Sequence, residues 1–149
     1  MPEKKAKLKI LFLCTGNACR SQMAEGWARR LKGGVIEPYS AGIVAAGLDP
    51  RAVRVMAEKG VAISGQRSKH VDTLLDLEFD YVVTICSHAH EHCPVFPGRT
   101  RVCHRGFDDP PSLAALANSE EEALFHYRRV RDEIHAFVEE LPGVLEGKG

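Results

Sequence analysis

The chain has 149 residues, enough for one core, and its 44% apolar and 27% charged residues exclude a disordered, fibrous or membrane-embedded protein. Twenty Lys and Arg against twenty Asp and Glu leave a formal net charge of zero, so no overall field would gather nucleic acid or an anionic membrane. Five cysteines (Cys14, Cys19, Cys86, Cys93 and Cys103) are an odd number in a chain large enough to fold without disulfide staples. In a reducing compartment they read as catalytic or metal-binding candidates.

Residues 1–9 are lysine-rich and lead into the apolar run 10–13, an outline that imitates a signal peptide or a lipoprotein site before Cys14. The run is too short for a signal core, and bulky Leu13 stands where a small residue is needed. No stretch reaches the length of a membrane span, so a cytoplasmic protein with a single domain over 1–149 is expected.

Residues 8–13 form a buried-strand run. Residues 21–32 place Met23, Trp27 and Leu31 on one stripe, predicting a helix stopped by Gly33 and Gly34. Residues 35–40 predict a short second strand, and Pro38 puts it at a sheet edge. Asp49 and Pro50 supply the N-cap and first position of a helix running through Val53, Met56 and Ala57 to Gly60. Residues 71–77 are compatible with a short helix, residues 81–86 predict a buried strand, and residues 100–103 a weaker one. Ser119 with Glu122 forms a capping box, and the stripe Leu124, Tyr127, Val130, Ile134, Phe137, Val138, Leu141 predicts a long helix ended by Pro142 and Gly143. Strands alternating with helices imply an α/β fold: an open parallel sheet of about four strands with helices on both faces, and a site at the carboxyl ends of the strands.

Between the first strand and the first helix run Cys14, Thr15, Gly16, Asn17, Ala18, Cys19, Arg20 and Ser21. Unsatisfied N–H groups and the helix dipole make such a junction an anion site, and a cysteine, five residues and an arginine is the pattern of an oxyanion cradle. Gly16 lets the backbone turn towards a ligand. Asn17 tolerates a left-handed conformation and can tie the loop with its side chain, and Arg20 offers two parallel donors to a tetrahedral anion. In that positive potential Cys14 is expected to be a thiolate, with Ser21 able to donate to its sulfur. Cys14 and Cys19 also fit half of a zinc site, but such pairs more usually sit on tight turns without a following arginine. Cys19 reads as a packed neighbour rather than a second nucleophile. Asp109, before Pro110, is by default a turn former.

Cys93 lies seven residues beyond Cys86. Seven residues of helix span roughly 10 Å, beyond the ~7 Å limit on Cα separation for a disulfide, so the pair cannot bond while the intervening segment is helical. The segment Ser87, His88, Ala89, His90, Glu91, His92 is polar with few core anchors, which suits a locally unfolding element. Taken alone, a buried Cys86 and a free surface Cys93 are an equally open reading. His88, His90 and His92, with Cys93 and His104, also raise a zinc or copper site. Alternate residues of a short helix point in different directions, which favours solvated polar residues instead.

Three segments together, CTGNACRSQMAEGW at 14–27, YVVTICSHAHEHCP at 81–94 and GFDDP at 106–110, resemble the thioredoxin-coupled arsenate reductases built on the low-molecular-weight protein tyrosine phosphatase fold. The resemblance spans most of the chain. It implies that Cys14 attacks arsenate held by the loop and Arg20, with Asp109 rather than Asp108 as general acid. It further implies a relay in which Cys86 attacks the arseno-cysteine at Cys14, arsenite leaves, and Cys93 attacks Cys86, leaving a disulfide exposed to thioredoxin. No cofactor or resident metal is expected, and the protein is expected to act as a monomer without nucleic-acid or membrane partners.

The alternative on the same fold is a phosphatase of phosphotyrosine or small esters using Cys14, Arg20 and Asp109. Gln22 after Ser21, where the phosphatases commonly carry proline, and Pro111 rather than an aromatic after Pro110 favour the reductase. A redox or metal-sensing module would have no need of Arg20 in such a loop. Some members of the resembled family hold potassium beside the loop, with oxygens near Asn17, Glu25 and Ser40 and one further carboxylate. At that last position stands Lys69, whose ammonium can pair with Glu25; Asp72 is the alternative carboxylate.

Overall fold

The computed structural model describes residues 6–146, so the first five residues of the lysine-rich lead lie outside the described residues. The first strand, β1 (Leu8–Cys14), sets the architecture. Its residues Ile10, Leu11, Phe12 and Leu13 are all wholly buried. Alternate side chains of a strand point to opposite faces, so an unbroken apolar run requires cover on both sides. β1 pairs in parallel with β2 (Ile36–Gly42) and with β3 (Tyr81–Thr84), and β3 pairs with β4 (Arg101–His104), giving the order β2-β1-β3-β4. The strand carrying Pro38 is at the edge, as its missing N–H demands. Leu13 lies opposite Thr84, so the loops that leave the carboxyl ends of β1 and β3 emerge side by side.

The helices are α1 (Arg20–Lys32), α2 (Pro50–Ala57), α3 (Ser87–Glu91), α4 (Pro110–Ala114), α5 (Glu120–Glu139) and α6 (Gly143–Glu146). Met23 and Trp27 of α1, Val55 and Met56 of α2, and Leu124, Ile134 and Val138 of α5 form one core with Ile10, Phe12 and Val83. The opposite face is thinner. There Leu11, Leu13 and Val82 are covered by Val71, Ala89, Phe79 and Phe96, the two phenylalanine rings meeting edge to face with centroids 5.9 Å apart.

Several boundaries differ from those the sequence predicts. Leu31 is 37% exposed, because α1 is clamped between sheet and α5 over its first nine residues, 20–28, and its last turn projects beyond them. In α2 the packed residues are Ala52, Val55 and Met56, and Ala57 faces solvent. Residues 71–77 give only a 3-10 turn, Val71–Leu74. The third strand stops at Thr84, and Cys86 caps α3 rather than ending the strand. The predicted stripe is buried throughout, and α5 ends at Glu139, ahead of Pro142 and Gly143 with Leu141 just beyond it, while α6 adds a separate short turn. Ser119 Oγ accepts from Glu122 N at 3.1 Å as a capping box requires, whereas the Glu122 carboxylate accepts from Asn118 N at 2.7 Å, one residue early.

Polar side chains join α2 to α5. Asp49 accepts from Arg51 N with Oδ1 (2.9 Å), capping α2, and from the Tyr127 hydroxyl with Oδ2 (2.5 Å). Arg131, almost wholly buried, donates to Val55 O and to Glu58 Oε1, both at 2.9 Å. Arg128 grips both Glu58 oxygens, at 3.0 and 2.8 Å. The Arg128 hydrogen bonds, with help from Arg131 and against partial burial, bring the Glu58 pKa down to about 2 from the ordinary 4.5. A carboxylate depressed by folding stabilises above its unfolded pKa, and that stabilisation is lost as pH falls through the folded value. Glu58→Gln should therefore flatten the fall in urea-unfolding midpoint between about pH 5 and pH 2, by a modest amount because a third of the side chain meets solvent.

Candidate active site

The loop between β1 and α1 is a bowl whose shape is imposed from outside. Cys14 O accepts from Ile43 N (3.1 Å), Thr15 O from Val44 N, Gly16 O from Ala46 N and Ala18 O from Asp49 N (2.9 Å each). Asn17 O accepts from Gln22 Nε2 at 2.9 Å. In a planar trans peptide the N–H points opposite to the C=O. The amides of residues 15–19 therefore turn inward together. Asn17 holds the one left-handed non-glycine conformation among the described residues (φ 50°), as its type allows. Gly42 runs so close behind the loop that a Cβ there would lie 2.2 Å from Val44 O and 2.7 Å from Asn17 N.

Cys14 sits at the base of a hollow of about 200 Å³ that Thr15, Ala18, Arg20, Asp109 and Pro111 also line. Ser21 Oγ accepts from Asn17 Nδ2 at 2.8 Å, so its own proton is free for Cys14 Sγ, 2.8 Å away. Asn17 Oδ1 accepts from Gln22 Nε2 (3.1 Å) and from Lys69 N (2.8 Å), which fixes the amide that orients Ser21. Cys19 also borders the hollow but is buried, and burial followed by the nearby Asp49 charge raises its pKa well above the ordinary thiol value. It is held neutral, as a packed neighbour should be.

Arg20 departs from the expected two-pronged grip. Its Nη1 donates to Phe107 O at 2.9 Å, and its Nη2 lies 3.3 Å from Asp109 Oδ1. The guanidinium thus also anchors the loop that carries Asp109. Asp109 accepts from Ser112 Oγ at 2.6 Å and precedes α4, whereas Asp108 points away to Arg129 at 2.9 Å.

The second cysteine meets the cradle directly. Thr15 Oγ1 and Cys86 Sγ are hydrogen-bonded at 3.2 Å, and Ala89 N donates to the same sulfur at 3.4 Å, capping α3. All five cysteines are free thiols. Cys93 lies beyond the end of α3, half-buried, and burial raises its pKa. Nor are the histidines gathered. His88 and His92 stack with ring centroids 4.3 Å apart, while His90 faces His104 at 4.7 Å. Sequence reasoning missed the amides of residues 43–49, which carry no residue signature, and the Thr15–Cys86 contact.

Lys69 Nζ stands 3.9 Å from Glu25 Oε1 and donates to Arg67 O at 2.8 Å. The Glu25 carboxylate also accepts from Ser40 Oγ and Arg29 Nη2, each at 2.5 Å. Burial lowers the Lys69 pKa, and the Glu25 charge opposes that. Asp72 is exposed and faces His70. These residues do not suit a bound potassium ion, since a protonated amine has no lone pair to offer and already supplies the positive charge.

A parallel four-stranded sheet whose central strand ends on a cysteine at the base of an amide-lined bowl, with an arginine and an aspartate at its rim, defines a cysteine-dependent protein acting on tetrahedral oxyanions. Residues 9–148 match the family model of low molecular weight phosphotyrosine protein phosphatases, and the chain belongs to that family. It is 49% identical over 128 residues to an arsenate reductase of Halalkalibacterium halodurans, covering 86% of this chain and 90% of that protein. With an arsenate reductase of Bacillus subtilis it is 50% identical over 125 residues, covering 84% of this chain and 88% of that protein. Among solved structures, an arsenate reductase in a phosphate-binding state superposes with a TM-score of 0.70 at 32% identity, covering 90% of this chain and 95% of the other.

Phosphate affinity should be the same in potassium and choline chloride at matched ionic strength, and Lys69→Ala should weaken it several-fold. Calorimetric titration in the two salts measures both.

Proposed function

We propose that this protein reduces arsenate to arsenite through Cys14, Cys86 and Cys93 and is returned to its thiol state by thioredoxin, working as a monomer in the reducing cytoplasm. The observation that carries this reading over a phosphatase is the contact of Thr15 with Cys86 at 3.2 Å, because ester hydrolysis has no use for a second thiol on the lip of the cradle. The arsenate reductases with which about half of the aligned residues are identical support it.

In this scheme the inward amides and Arg20 hold the tetrahedral anion while the Cys14 sulfur displaces one arsenate oxygen. Asp109 gives that oxygen the proton with which it leaves as water. Cys86 then attacks the Cys14 sulfur, the S–As bond pair passes to arsenic, and arsenite departs as a Cys14–Cys86 disulfide forms. Cys93 exchanges into that disulfide and frees Cys14, and the thioredoxin dithiol supplies the two electrons that reopen Cys86–Cys93. The rival phosphatase reading keeps the first half of this scheme, with an ester oxygen as the leaving group, and needs neither Cys86 nor Cys93.

Both activities are measurable on one sample, as arsenite formed with thioredoxin and as hydrolysis of an aryl phosphate. Cys14→Ser should abolish both, since a hydroxyl is a poor nucleophile in the place of the thiol. Asp109→Asn should slow ester hydrolysis by roughly 10²- to 10⁴-fold. Cys93→Ser should stop repeated thioredoxin-driven turnover and leave ester hydrolysis nearly intact. Equal thioredoxin-dependent turnover in wild type and Cys93→Ser would overturn the relay, and hydrolysis without arsenite formation would establish the phosphatase instead.

A further inference from the structure

Cys86 and Cys93 can bond only if α3 opens, so what holds α3 closed bears on the last transfer of the relay. Its attachments are few. Ala89 is buried, and the cap on the helix is a long contact from Ala89 N to Cys86 Sγ at 3.4 Å. Among the described residues, one side-chain hydrogen bond ties α3 to the sheet: His90 Nδ1 to Thr84 Oγ1, at 2.9 Å. Thr84 is fully buried at the end of β3, and its hydroxyl also meets His104 Nδ1 at 2.9 Å and Cys103 O at 3.4 Å on β4. The two imidazoles lie with centroids 4.7 Å apart, tilted by 41°. A hydroxyl has one proton and two lone pairs, so with its proton on Cys103 O it can accept from both rings at once.

The cap and the clasp differ in one respect. The capping atom is the sulfur that reacts, and once Cys86 has left its place to bond with Cys14 it no longer caps α3. The His90–Thr84 bond is then the remaining polar tie. We infer that Thr84, His90 and His104 form a catch that still holds α3 closed once Cys86 has reacted, which makes His90 and Thr84 positioning residues for the Cys93 step. This rests on the relay proposed above. When the catch lets go, Cys93 Sγ attacks Cys86 Sγ and the Cys86–Cys93 bond forms. The Cys14–Cys86 bond breaks with Cys14 leaving as thiolate, the Cys93 proton passes to solvent, and no electrons enter or leave the protein. Opening also relieves the burial that raises the Cys93 pKa, so the attacking thiolate becomes more abundant in the open form.

The test is amide hydrogen exchange on the reduced full-length protein, comparing wild type with His90→Ala, His90→Asn and Thr84→Val. Loss of one such bond should speed exchange across residues 88–92 by roughly three- to tenfold in His90→Ala and Thr84→Val. His90→Asn, whose amide can occupy the place of Nδ1, should stay near wild type, which a merely bulky or helix-forming role for His90 does not predict. Aryl phosphate hydrolysis should be unchanged in all three variants, and exchange of the Cys14–Cys86 bond into Cys86–Cys93, followed by mass spectrometry, should quicken by a similar factor in the first two. Unaltered amide exchange in both His90→Ala and Thr84→Val, or an asparagine variant as fast as the alanine one, would overturn the catch. If amide exchange responds but Cys93→Ser turns over like wild type, the relay falls and the catch loses its role in turnover, while its place in the fold stands.

Discussion

Five successive carbonyls, those of residues 14–18, are held from outside the cradle by the amides of Ile43, Val44, Ala46 and Asp49 and by the side chain of Gln22. Peptide planarity converts that outward grip into five amides facing inward. No side chain of the bowl can achieve this by itself. The grip requires β2 to run on past its pairing with β1, and it requires Gly42 at the closest approach, where any Cβ would strike backbone atoms that cannot move aside. It also requires residue 49 to be fixed in space. Asp49 is fixed twice, as the cap of α2 and as the acceptor of the buried Tyr127 hydroxyl from α5. The long C-terminal helix, remote from the site in sequence, thereby takes part in shaping it.

The same frame sorts the thiols by environment. Cys14 and Cys19 bracket one short loop and both border the hollow, yet Cys14 stands beside the Ser21 hydroxyl, whereas burial and the Asp49 charge keep Cys19 neutral. A thiol that cannot ionise is a poor competitor for an anion-bound electrophile. Cys86 stands at the mouth, in touch with Thr15, because β1 and β3 are neighbours in the sheet and their carboxyl ends coincide at Leu13 and Thr84.

The residue types that build the cradle were legible in the sequence, because a cysteine, a turn with Gly16 and Asn17, and Arg20 at a helix start each have a distinct chemical reason to be there. Asn17 takes the left-handed conformation foreseen for it. What was not legible was carried by backbone or by distance. The amides of residues 43–49 look like any others in a sequence, and the use of one Arg20 nitrogen on Phe107 O depends on a loop 87 residues away. The expected strand over 81–86 overran because Ile85 and Cys86 continue an apolar pattern, whereas in space the helix cap claims Cys86. Leu31 misled for the converse reason: periodicity gives the direction of a helix face but not the point at which its cover ends.

A cradle that must keep its shape and a segment that the proposed relay requires to open lie side by side on the two central strands, and the anchoring of each suits that difference. The cradle is backed by wholly buried Asn17, Ser21, Gln22 and Ser40, each engaged in hydrogen bonds among themselves or with the loop's surroundings. Segment 87–92 has one buried apolar side chain, Ala89, and a cap made by a weak sulfur acceptor. Few buried contacts mean a small free energy of local opening, while the cradle can open only with the body of the fold. The thinner cover on the α3 side of the sheet is therefore consistent with the proposed relay: it lets one element move without disturbing the packing of α1, α2 and α5 behind the anion site.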